Sequence, residues 1–303
     1  MQGGVWRLTK KLQSSRSHEV ATGYLFILPQ LLFFLVFLLY PVLEGFRMST
    51  YDISLTTENF IGFDHYLTLF QDTKFIKSLI NTVILIFWVT IISVALAFIV
   101  ACAIFDKRDG YITFIRGSFY IPTIISMVVV ATIWKWMLNP SFGIIYYVLG
   151  KFGITDQNWL GNSGTVLYVM IFILVLMNVG QAILLYVAAM RGLDPALFEA
   201  ADIDGATRLQ KVRLIIYPLV KSTTLYLIVW HIIGVMKSFV IMNVMTGGGP
   251  NYASSTLMYL TYTEAFRTIN MGRGAAIGVI MFIVTIILSM LQFRLFRRKD
   301  GGY

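Results

Sequence analysis

The stretch "EAADIDGATRLQKVRLIIYP", Glu199 to Pro218, carries six charged side chains in twenty residues. It lies in a chain whose composition is 57% hydrophobic and only 13% charged. Asp194 and Pro195 stand just before it, an N-cap and first-turn pair: the carboxylate accepts an orphan backbone donor, and proline lacks the N–H that would go unsatisfied. "ALFEAADI" then supplies good helix formers, and the alanines at 196, 200 and 201 leave room for close docking. Gly205 permits a sharp change of direction. From Ala206 a second helical segment runs through Arg208, Lys211 and Arg213, with Pro218 marking a kink. The spacing predicts two helical segments joined as an elbow, with Glu199 placed to clamp it through a donor such as arginine or a helix end.

On either side of the elbow the chain turns to hydrocarbon. A mean hydropathy of +0.76 over 303 residues does not describe a water-facing surface. Runs at 21–43, 78–105, 117–138, 165–190, 214–242 and 274–296 each suffice to cross an apolar layer of about 30 Å, which takes roughly 20 helical residues. They are continuous over two or three times the length of a barrel strand, so helices are expected and a spanning β-barrel is not. The first run is long, and Pro41, Glu44 and Arg47 follow it where a small-residue cleavage site would stand, so it reads as an uncleaved span. The lone Cys102 excludes a disulfide framework and reads as a small packing residue.

Basic residues set the expected orientation. Sixteen of the 24 Lys and Arg fall in the amino-terminal tail, around 107–116, around the elbow and in the carboxy-terminal tail, and eight fall on the other side. By the positive-inside rule both termini and the elbow face the cytoplasm. The expected organisation is a cytoplasmic tail 1–20, a six-helix transmembrane domain 21–296 that includes the loop 191–213, and a cytoplasmic tail 297–303. The net charge of +9 is thereby a topological signal, and nucleic-acid binding is not expected. The outer segment "FIGFDHYLTLF", Phe60 to Phe70, suits either a partner-docking surface or a short interfacial helix across the bundle mouth.

There is no G-x-x-x-x-G-K-[ST] loop for phosphates and no H-E-x-x-H pair for a metal, and the histidines at 18, 65 and 231 are scattered. Gly247, Gly248 and Gly249 lack the context of a nucleotide cradle and read as a flexible external turn. Within the apolar runs, Asn178 and Gln181 share a helical face, suited to interhelical hydrogen bonding or to lining a pore. His231 lies about 15 Å along its helix from Lys221, while Lys237 is placed to snorkel to the outer interface.

The elbow resembles the EAA loop of the membrane-spanning subunits of bacterial ATP-binding-cassette importers. That pattern is EAA, three residues, G, nine residues, then I, any residue, L, P. Glu199, Ala200, Ala201, Gly205, Ile215 and Pro218 stand at those spacings, and Tyr217 replaces the usual leucine. "YLFILPQLLFFLVFLLYP" at 24–41, "FIKSLINTV" at 75–83, "WKWMLNPSFGIIYYVL" at 134–149 and "TGGGP" at 246–250 are similar to the maltose and glycerol-phosphate permease branch. The resemblance implies an all-α type I importer permease whose elbow, through Glu199, Ala200, Ala201, Asp204 and Gly205, contacts a separate ATPase. It further implies a second, nonidentical permease subunit, two cytoplasmic ATPase subunits that hold ATP and Mg, and an extracytoplasmic protein that delivers a sugar, oligosaccharide or polyol. This chain then needs no cofactor and performs no catalysis, and Asn178, Gln181 and His231 are the candidate pore or solute contacts. An ion-coupled secondary transporter is the alternative, and the lack of a central Asp or Glu in the runs counts against it.

Overall fold

The computed structural model describes residues 22–53, 58–154 and 158–297. The tail 1–20 and residues 298–303 lie outside them. Among the described residues five helices are long and apolar enough to cross a membrane: α1 (Thr22–Met48), α3 (Thr73–Ile104), α7 (Val166–Arg191), a helical stretch at Lys221–Met245 and α13 (Met271–Arg297, of which Met271–Gln292 meets the test). A sixth span is present if the bent pair α4 (Asp109–Ile124) and α5 (Met127–Met137) counts as one.

That pair departs from the single helix expected over 117–138. Its halves meet at 93°. Pro122, in the last turn of α4, cannot donate to the carbonyl four residues back, and Ile125 and Ser126 take extended conformations. Each half then packs in its own direction, α4 on α7, and α5 on α11 (Val240–Met245) and on the short α6 (Ile144–Lys151) that follows it. The fifth run is also interrupted. After α9 (Arg208–Lys211) comes a π turn, Val212–Ile216, then Tyr217–Leu219, a non-helical Val220, and α10 (Lys221–Met236). Proline at 218 removes a regular helical bond, and the ladder widens just before it.

The α3–α7 pair is the most extensive helix contact. Asp72 caps α3 by accepting from the Lys74 N–H at 2.8 Å. Along the buried stripe of α3, Ser93, Ala97 and Ala101 follow at four-residue spacing, small enough for close approach to a neighbouring helix. Two apolar clusters fill the bundle. One gathers Leu85, Val89, Met170, Leu174, Ile232 and Ile241, and the other Ala97, Ile104, Ile183, Tyr186, Ile216 and Leu227. Gly180 on α7 makes room for α4: a Cβ there would stand 2.1 Å from the Phe119 carbonyl oxygen. Thr123 Oγ1 donates to Met177 O at 3.1 Å, which fastens the same crossing.

The segment after α1 forms a hairpin, β1 (Tyr51–Ile53) against β2 (Glu58–Phe60), followed by α2 (Asp64–Gln71). Leu69 of α2 is buried with Phe75, Leu257 and Ile277, so this short helix is seated on α3, α12 (Leu257–Tyr262) and α13. The glycine turn is closed by side chains. Tyr259 Oη donates to Gly247 O at 2.6 Å, and Ser254 Oγ donates to Gly249 O at 2.7 Å. From α3, Asn81 Nδ2 donates to Tyr252 O and Ser255 O at 2.9 and 3.0 Å. The turn expected to be flexible is thus tied to the second span.

Candidate functional site

The elbow is two capped helices set at a fixed angle. Asp194 Oδ1 accepts from the Ala196 N–H at 2.9 Å with Pro195 in the first turn, which starts α8 (Pro195–Ile203). Gly205 lies in the left-handed region at φ +70°. Its N–H reaches Asp202 O at 3.1 Å while the Ala206 N–H reaches Ala201 O at 2.9 Å, the two bonds of a Schellman closure. Thr207 and Gln210 then form a capping box that starts α9, with Thr207 N donating to Gln210 Oε1 at 2.7 Å. An ion pair between Lys211 and Asp202 bridges the two helices.

One side of the elbow rests on the bundle. Ala201 is buried, and the Phe198 and Phe105 rings lie 5.7 Å apart. Arg208 Nη2 donates to Cys102 O at 2.9 Å, Ala103 O at 3.0 Å and the Asp106 carboxylate at 3.0 Å, all at the carboxy-terminal end of α3. Arg191 pairs with Asp109 nearby. These attachments were invisible in the sequence. Arg208 counted there as one more topological charge, because nothing in its spacing points to acceptors about a hundred residues earlier.

The other side is bare. Glu199, Ala200, Asp204 and Gly205 are exposed, and Glu199 has no hydrogen bond or ion pair among the described residues. Ile203 and Leu209, on α8 and α9, stand 88% and 75% exposed. An unpartnered carboxylate on a segment that also exposes branched apolar side chains has the makeup of a protein-docking surface.

The polar residues of the spans are placed separately. Asn178 Nδ2 donates to Leu174 O at 2.7 Å, within its own helix. Gln181, one turn on, is half-buried. His231 on α10 is fully buried, its Nδ1 2.7 Å from Leu227 O, and its Nε2 has no partner. The Thr90 and Ser93 hydroxyls on α3 are likewise buried and unpartnered. No hydrogen bond joins His231 to Asn178 or Gln181, and the chain does not assemble the three into one cluster. Between α3, α7 and α10 a cleft of about 320 Å³ is lined by Thr90, Tyr186, Tyr217 and Thr224, and across it Tyr186 Oη donates to Thr224 Oγ1 at 2.9 Å. Among the described residues no group of three or more His, Cys, Asp or Glu is placed to hold a metal ion.

A mostly helical bundle with up to six apolar spans, carrying a charged elbow capped at both helices, defines a multi-pass membrane protein. Residues 21–301 match the family of binding-protein-dependent transport system inner membrane components, and the chain belongs to that family. Among its relatives, the probable ABC transporter permease protein YurN of Bacillus subtilis (strain 168) is 31% identical, over 90% of this chain and 95% of that one. The arabinooligosaccharides transport system permease protein AraP of the same organism is 30% identical, over 91% of this chain and 88% of that one. In structure the chain is similar to a subunit of a bacterial ABC transporter involved in the import of the acidic polysaccharide alginate. The TM-score is 0.83 at 25% identity, covering 96% of this chain and 99% of that one.

Proposed function

We propose that this chain forms half of the translocation pathway of an ATP-driven importer for a sugar, oligosaccharide or related polyol, with the elbow docking on a separate ATPase. The bare side of the elbow carries this reading. Glu199 and the exposed Ile203 and Leu209 need a partner from outside the chain, and the same elbow leads into the span at 221–245. Membership of a binding-protein-dependent transport family and the carbohydrate names of its relatives support the class of solute. In this reading both termini and the elbow are cytoplasmic, and two ATPase subunits hold ATP and Mg. A second, nonidentical permease completes the pathway, and an extracytoplasmic protein delivers the solute to the face that carries α2. Asn178, Gln181 and His231 are its proposed solute or pore contacts. The ion-coupled alternative finds no support in the spans, which among the described residues bury no Asp or Glu; their buried polar residues are serines, threonines, Asn81 and His231.

The test is retention of the ATPase on an affinity-tagged chain purified from its own membrane. Glu199→Ala removes the free carboxylate, and Gly205→Val forces a β-branched residue into φ +70°, a strain of about 1–3 kcal/mol. Both variants should insert at wild-type levels yet lose most of the co-purifying ATPase, or keep it with hydrolysis no longer responding to the permease. Full retention and full hydrolysis in both would show that the elbow is not the ATPase contact.

A further inference from the structure

We propose that Arg208 is a positioning residue that couples the elbow to the end of α3, so that a displacement of the elbow moves the second span together with the fifth. This rests on the reading of the elbow as the ATPase contact, and it adds a path that the EAA pattern does not contain.

The covalent route out of the elbow is poorly suited to rigid transmission. Between α9 and α10 it passes a π turn and Pro218, which has no N–H to donate, and then Val220, whose dihedrals leave the helical region although it keeps its bonds to Ile216 O and from Thr224 N. The route through Arg208 is one side chain long. Cys102 O and Ala103 O belong to the last turn of α3, where carbonyls lack helical donors and the helix dipole is negative. Asp106 adds a carboxylate two residues beyond the helix. All three acceptors converge on the single nitrogen Nη2, at 2.9, 3.0 and 3.0 Å.

The backbone that carries Arg208 is itself fixed. Its residue is the first of α9, directly after the Thr207 cap, and the Gly205 closure sets the angle back to α8. Phe198 against Phe105 makes a second point of attachment from α8 to the chain just past α3. From there α3 packs on α7 and on α10, so whatever moves its end moves the centre of the bundle. The Arg208–Asp106 pair is about half exposed on both sides, and such pairs contribute only about 0–1 kcal/mol to stability. Its role is therefore geometric, and its loss should leave the fold intact.

Electron–electron distance measurements on the assembled transporter in lipid nanodiscs provide the test, with Cys102→Ser as background, since only the backbone carbonyl of that residue is an acceptor. One nitroxide pair, at 197 on α8 and 107, spans the latch. A second, at 107 and 290, reports the end of α3 against α13. In the parent protein the first pair should give one narrow distance with or without nucleotide, and the second should shift when ATP is added in EDTA to permit binding without hydrolysis. Arg208→Ala should broaden the first distribution about twofold, as expected when a charge-assisted hydrogen-bond network is released, and should remove at least half of the ATP-dependent shift in the second. Arg208→Lys should restore both, because an ammonium offers three donors to three acceptors. A wild-type width at the first pair in Arg208→Ala, or an undiminished shift at the second, would overturn the proposal, as would a parent protein whose second pair ignores ATP. The first pair needs no ATPase, so it tests the latch even if the Glu199 and Gly205 variants refute the elbow as the ATPase contact. Conversely, a failed latch leaves that contact standing on its own variants.

Discussion

Gly180 and Asn178 stand two residues apart on one helix and carry opposite kinds of information. Asn178 is conspicuous in the sequence, a polar amide in an apolar run, yet its Nδ2 is satisfied by Leu174 O in its own helix. Gly180 looks ordinary, one of 24 glycines, but it alone lets the Phe119 carbonyl approach α7. Backbone atoms cannot rotate away from an added methyl as a side chain can, so even alanine must push α4 outward. Overpacking of this kind costs about 1–3 kcal/mol. Gly180→Ala should lower the thermal midpoint of the detergent-solubilised protein by several degrees, whereas Asn178→Leu and Gln181→Leu should leave it within about a degree or two. The two leucine variants should instead show their effect in the complete transporter, as altered stimulation of ATP hydrolysis by the solute-loaded binding protein. A Gly180→Ala protein as stable as the parent would mean that the α4–α7 crossing is loose.

Of the four prolines within the apolar runs, Pro29 lies in regular helix, while Pro41, Pro122 and Pro218 mark three irregular elements, and the sequence shows where they are more clearly than what they do. Before Pro41 the ladder widens into a π turn at Leu35–Leu39, with Tyr40 N–H reaching Leu35 O, and before Pro218 it widens at Val212–Ile216. Only beside Pro122 does the chain turn through 93°. The difference lies in the surroundings. α4 is held to α7 by Gly180 and Thr123, while α5 buries Val130 and Ala131 and packs on α11, so the two halves answer to different neighbours. Pro122→Ala should therefore keep the bend. Labels at 111 and 136 should remain roughly 25–30 Å apart, against roughly 38 Å for a continuous helix at about 1.5 Å per residue; the longer distance would show that the proline alone makes the break. This also explains what could be read in advance. Spans, caps and the Gly205 turn depend on local residue chemistry, so hydropathy and the Asp194–Pro195 pair reveal them. The angle at 125–126 and the Arg208 latch depend on residues roughly 50 to 100 positions away, which no local pattern encodes.

At the scale of the whole molecule, charge and shape make one joint prediction about the membrane. The elbow with its basic cluster lies at one end of the bundle, by the end of α3, and α2 with the glycine turn packs near the start of that same helix. A helix of 32 residues is about 48 Å long, more than the hydrocarbon thickness, so the two ends of α3 stand in different aqueous compartments. The sixteen-to-eight distribution of Lys and Arg then predicts a cytoplasmic elbow. Single cysteines in a Cys102→Ala background decide it. Leu67 on α2 and Tyr252 beside the glycine turn are exposed in this chain, as are Ile203 and Leu209 on the elbow, so in cells that express the chain without its ATPase access to each depends on its side of the membrane and not on packing. A membrane-impermeant maleimide applied to intact cells should label cysteine at 67 and 252 and leave 203 and 209 untouched until the membrane is permeabilised. Labelling at 203 or 209 from outside would invert the topology, and with it the docking of the elbow on an ATPase that uses cytoplasmic ATP. Labelling of all four from outside would place both ends of α3 in one compartment, which a spanning helix of that length does not permit.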